Sequence, residues 1–163
     1  MLEFLDAMAK NEKETYFLNF LREHQPLPSD DEITEEQLVI YDGARKFFIE
    51  NPNKQCVPLF LNSFGDGDGS GVYQLVEDTI SQFALEDVLE HLIEAMSNEK
   101  GSVQYWAAQI AYYFPCEKLL PYLERMLYME NTSCDYIALS DIKTSSLISL
   151  DYIKLPESED IIK

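Results

Sequence analysis

Residues 54 to 146 carry one 31-residue pattern written three times, and that repetition limits the fold more than any other feature of the chain. Val57, Val88 and Leu119 fall one period apart, as do Leu61, Leu92 and Leu123, and further along Val72, Val103 and Cys134. Leu75, Trp106 and Ile137 make another column, Val76, Ala107 and Ala138 the next, and Ile80, Ala111 and Ile142 the last. Apolar positions at helical spacing within each copy make every copy a pair of helices. Such pairs stack on their neighbours, because one pair alone leaves its apolar side in water. The expected fold is all-α: a short right-handed α-α solenoid forming one domain with an N-terminal helical cap. Residues 1–52 would form the cap, 54–146 the three repeats, and 147–163 the end of the last helix and an acidic tail.

The cap is read from two segments. Tyr16, Phe17, Phe20 and Leu21 mark a helix over residues 12–24, and a linker with Pro26 and Pro28 ahead of Asp30, Asp31 and Glu32 ends it. Thr34 with Gln37 has the form of a capping box, and Leu38, Tyr41, Ala44, Phe48 and Ile49 then trace one face up to Asn51-Pro52. In the second repeat Val88, Leu89, Leu92, Ile93 and Met96 stripe the first helix, and Val103, Trp106, Ala107, Ile110, Ala111 and Phe114 the second. The third has Leu119, Leu120, Leu123 and Leu127, a turn at residues 130–133, and a second helix read from Tyr136. In the first, Pro58 opens one helix and a glycine-rich turn from Gly65 to Gly71 precedes the other, whose register places its start at about Gly71. The tail from Pro156 to Asp160 is expected to be frayed.

Charge narrows the partners. Twelve Lys and Arg against thirty Asp and Glu give a formal charge of −18. Phosphate backbones are bound through Lys and Arg contacts, so nucleic acid is not an expected partner. A negative field instead speeds encounter with a basic one. Three cysteines, Cys56, Cys116 and Cys134, stand far apart in apolar stripes and read as buried reduced thiols. The opening Met1-Leu-Glu-Phe-Leu-Asp lacks the basic start of a signal peptide, and no apolar run approaches a membrane span. A cytoplasmic protein without membrane contact is expected.

The sharpest local motif lies in the glycine-rich turn. From Asp66 to Glu77 the order of residues matches a twelve-residue EF-hand loop, with Asp66, Asp68, Ser70, the Val72 carbonyl and Glu77 in the ligand positions. Calcium takes six to eight oxygen ligands, and a sharp glycine turn lets a bidentate glutamate close the shell. The repeat register opposes this reading, because it starts a helix where an EF-hand loop stays non-helical. On that register Ser70 caps the helix, and Asp66 and Asp68 lie near its positive end. Calcium stands as the alternative ligand; otherwise no cofactor is expected.

Unburied positions on the second helices form rows across the repeats: Gln74, Tyr105 and Tyr136, then Asp78, Gln109 and Ser140, then Ser81, Tyr112 and Lys143. Tyrosine brings large amphipathic area at small entropic cost. Gln74, Asp78, Tyr105, Gln109, Tyr112 and Tyr136 are therefore the candidate partner-binding residues. Glu86, Glu90 and Glu94 make an acidic row on a first helix, read as a solvated face. Catalysis finds no footing: the only histidines, His24 and His91, have no His or Cys at ligand spacing, and no P-loop, GxSxG or HExxH occurs. The chain is not expected to be an enzyme.

The repeats resemble bacterial HEAT-like repeats. Gly69-Ser-Gly-Val-Tyr-Gln-Leu-Val-Glu-Asp78, followed by Ser102-Val-Gln-Tyr-Trp-Ala-Ala-Gln-Ile-Ala111 and Phe114-Pro115, is similar to segments of small HEAT-like proteins of toxin-immunity loci. That resemblance implies a protein that binds a toxin domain, often a basic nuclease, and covers its active site. Three repeats leave a small concave surface, which speaks against multi-partner scaffolding; a general helical adaptor is the second alternative after calcium binding.

Overall fold

Thr34 ends the proline-containing linker and starts a helix by the mechanism its sequence announces. The Gln37 N–H donates to Thr34 Oγ1 at 3.2 Å while the Thr34 N–H donates to Gln37 Oε1 at 2.9 Å. Two of the free donors of a helix start are satisfied by this exchange. The computed structural model describes residues 3–153, and all regular structure among them is helical. The elements are α1 (Glu3–Ala7), α2 (Lys10–Glu23), α3 (Glu35–Glu50), α4 (Cys56–Leu61), α5 (Val76–Ile80), α6 (Leu85–Met96), α7 (Gly101–Ala111), α8 (Leu120–Leu127) and α9 (Leu139–Ile153). Short 3₁₀ turns at Tyr73–Leu75 and Glu117–Leu119 lead into α5 and α8.

The columns that repeat best in sequence are the ones that bury. Val57, Val88 and Leu119 are fully buried, as are Leu61, Leu92 and Leu123, and so are Ile80, Ala111 and Ile142. Each fully buried leucine stabilises the fold by about 1.5–3 kcal/mol relative to exposure. In line with this, α4 packs on α6 and α6 on α8, while α6 also packs on α7, and α9 lies against both α7 and α8. At the other end α2 packs on α3 and α4, and α3 on α5. Helices α2 and α3 thus cover α4 and α5.

Three expectations give way. The second helix of the first repeat does not begin near Gly71: residues 71–72 form a turn, Tyr73–Leu75 a 3₁₀ turn, and only Val76–Ile80 are α-helical. Ser70 caps nothing there, since it sits exposed at φ +53° in the left-handed region. In the third repeat the second helix starts at Leu139 rather than at Tyr136, and it ends at Ile153, beyond residue 146 as expected. The physical reason is shared. Ahead of each helix backbone N–H groups donate to carboxylates, those of Asp68 and Gly69 to Asp30 and those of residues 135–137 to Asp66, and these bonds hold the chain in a turn before the helix begins. The acidic tail lies outside the described residues.

Candidate binding site

Glycine sets the shape of the turn between α4 and α5. Gly67, Gly69 and Gly71 have φ of +128°, +59° and +83°, and a Cβ on Gly69 would stand 2.6 Å from the Tyr73 ring. Such a backbone turns its N–H groups outward in succession, and each needs an acceptor. Two aspartates meet that need from opposite sides. Asp30, from the linker before α3, accepts from Asp68 N at 3.0 Å and from Gly69 N at 2.9 Å. Asp68 Oδ1 accepts from Gly71 N at 3.2 Å. Trp106 on α7 donates its indole N–H to the Gly67 carbonyl at 3.2 Å, which fixes the turn against the second repeat.

Asp66 acts across a much longer span of chain. Its carboxylate accepts from three successive backbone N–H groups in the segment before α9: Asp135 at 2.5 Å, Tyr136 at 3.2 Å and Ile137 at 3.2 Å. This clasp joins the first repeat to the third. It holds residues 135–137 in a loop, which is why Tyr136 does not enter a helix.

The turn, α7 and this loop together border an open cavity of about 500 Å³. Gln74, Tyr105, Gln109 and Tyr136 line it, with Trp106 at its base and Asp30, Asp68 and Asp141 among its walls. Four of the six candidate partner-binding residues therefore meet at one place. Of the others, Tyr112 lines a smaller adjoining cavity of about 240 Å³, which shares Gln109 with the first. Asp78 is exposed and lines neither.

The cavity's environment favours uncharged phenols. Burial, with the Asp141 carboxylate behind it, pushes the Tyr105 hydroxyl up, and the neighbouring Asp31 carboxylate foremost does the same for Tyr136. In the adjoining cavity Tyr113 donates to Glu77 at 2.9 Å, and that bond, ahead of burial, raises Tyr113 to about 12. Comparisons with protein families, with curated proteins and with solved structures find no match for this chain.

The residues of the EF-hand-like loop are placed separately. Asp66 is taken up by the backbone of residues 135–137, Glu77 by Tyr113, and Asp68 by Gly71, while Ser70 points into solvent and Val72 lies half-buried in the turn. Among the described residues no group of three or more His, Cys, Asp or Glu side chains is arranged to hold a metal ion. The acidic row on α6 is solvated: Glu86, Glu90 and Glu94 are exposed, with His91 against Glu94 at 3.4 Å. No described helix is long and apolar enough to cross a membrane. Sequence reasoning missed Asp30, Asp141 and the role of Trp106. A signal for Asp30 existed in the glycine turn itself, whose outward N–H groups require carboxylates from elsewhere.

Proposed function

We propose that this chain is a protein-binding module of HEAT-like helical pairs that binds a basic protein partner and neutralises it, as an immunity protein covers a toxin domain. The observation that carries the reading is the meeting of Gln74, Tyr105, Gln109 and Tyr136, brought from three separate segments, around one cavity that no lysine or arginine among the described residues lines. Tyr105 and Tyr136 are of the aromatic type enriched at interface centres. A net charge of −18 adds long-range attraction for a positive partner and repulsion for phosphates.

The test is a tagged pull-down from the native host at low and high salt, repeated with Tyr105→Ala combined with Tyr136→Ala. The native chain should retain one basic protein, released as salt rises, and the double variant should retain it at least roughly ten-fold more weakly while melting cooperatively. Capture that is indifferent to both salt and the double substitution would remove this surface from the function.

A further inference from the structure

The cavity between the glycine turn, α7 and the loop before α9 has a chemistry narrower than "protein-binding". Its polar walls include three carboxylates, Asp30, Asp68 and Asp141, and among the described residues no Lys or Arg lines it. Each of these carboxylates already accepts backbone N–H bonds: Asp30 from residues 68 and 69, Asp68 from Gly71, and Asp141 from Ala138. They are thereby held in place with lone pairs to spare, since a carboxylate can accept about four bonds. The remaining walls are aromatic. Tyr105 is half-buried against the edge of Trp106, with ring centroids 5.1 Å apart, and Trp106 is in turn backed by the Phe64 ring at 5.6 Å. Tyr136 stands at the mouth, 54% exposed. Rigid carboxylates facing aromatic rings are the surroundings in which a flat, weakly hydrated cation binds best.

We infer that this cavity receives an arginine side chain of the protein partner, its guanidinium reaching Asp141 and Asp68 and its flat face lying along Tyr105. Guanidinium is favoured over ammonium on two grounds. It can bond a carboxylate through two parallel N–H groups, and it stacks on an aromatic face while doing so. A volume of about 500 Å³ admits one such side chain together with water. This proposal rests on the protein-binding reading and gives it a chemical anchor.

Trp106 makes the test direct, because it is the only tryptophan in the chain and lines the cavity. The full chain is titrated at low salt with N-acetyl-arginine methylamide, N-acetyl-lysine methylamide and N-acetyl-citrulline methylamide, following the indole N–H resonance of Trp106. The arginine compound should move that resonance saturably, the lysine compound several-fold more weakly, and the neutral citrulline compound should leave it in place. Asp141→Asn should weaken the arginine titration roughly ten-fold, since it removes a charge-assisted partner. Asparagine can still accept from Ala138 N, so that variant keeps the start of α9. Tyr105→Leu, which retains bulk without the ring, should weaken it as well. An absent arginine response, or an equal response to citrulline, overturns the arginine cavity. If a basic partner is captured by native and Asp141→Asn chains alike while the arginine compound fails to bind, the cavity falls and the protein-binding reading stands. If the compound binds and no basic partner is captured, the reverse holds.

Discussion

The hairpin of α6 and α7 and the clasp between the glycine turn and residues 135–137 are both central to the molecule, yet they are held by different forces. In the hairpin, Val88, Leu92, Met96, Val103, Ala107 and Ile110 are buried at helical spacing, and the backbone serves itself through its own helices. In the clasp, little regular structure forms, and carboxylates of Asp30 and Asp66 take backbone N–H groups that no helix satisfies. Apolar burial is non-directional and survives small adjustments of neighbouring side chains. A carboxylate bound to successive N–H groups depends on geometry, and it fixes a shape. The regular hairpin provides rigidity, while the irregular clasp decides where Tyr136 and Gln74 point.

This contrast predicts unequal responses to substitution. Leu92→Ala, deep in the hairpin, should cost about 2–5 kcal/mol by transfer and cavity terms, read as a lower midpoint in urea with unchanged cooperativity. Capture of a basic partner by the folded variant should persist, because Leu92 is fully buried and lines no part of the cavity. A loss of binding disproportionate to the loss of stability would show that the hairpin also shapes the site, and the comparison would break.

Asp66→Asn should cost less, about 1–3 kcal/mol, because one amide oxygen replaces two carboxylate oxygens and an NH₂ then faces backbone donors. Its effect should be concentrated. Amide exchange at residues 135–137 should accelerate far more than at α6, and partner binding should fall by more than the stability change explains. Uniform acceleration would mean that the clasp is only one more stabilising contact.

The same contrast sets what the sequence could show. Columns such as Leu61, Leu92 and Leu123 were legible because burial at a fixed spacing writes itself into residue type, and all three are fully buried. Grouping Gln74, Tyr105 and Tyr136 by repeat register also led to one cavity, although Tyr136 arrives from a loop rather than from a helix. Asp66 was not legible as a partner of distant backbone, because an aspartate that bonds N–H groups some seventy residues away looks like any other surface acid. The EF-hand-like spacing drew its signal from this same need: glycines that free backbone donors, and acids close by. Similar residues serve a metal shell and a backbone clasp, and only the fold tells which N–H groups are near.

Glu77 gives the finest discrimination. Burial raises its carboxyl foremost; the Tyr113 hydrogen bond pulls the other way, and the Asp78 charge adds to the rise. The folded chain therefore holds the Glu77 proton more tightly than the unfolded chain does. An ionised Glu77 costs stability above its folded value, and that cost fades as pH falls through the window down to the ordinary glutamate value. Glu77→Gln should accordingly be as stable as the native chain at pH 7 or more stable by less than about 1 kcal/mol, given partial exposure, with the difference vanishing near pH 4. Chemical denaturation across that range measures it. Millimolar calcium should leave the melting temperature of both chains unchanged, because Asp66 and Glu77 are engaged with residues on different elements. A calcium-dependent rise that disappears in Glu77→Gln would return the glycine turn to metal binding, since a ligand bound only by the folded state must stabilise it. The turn would then be a switch, with Asp66 choosing between an ion and the backbone that holds Tyr136.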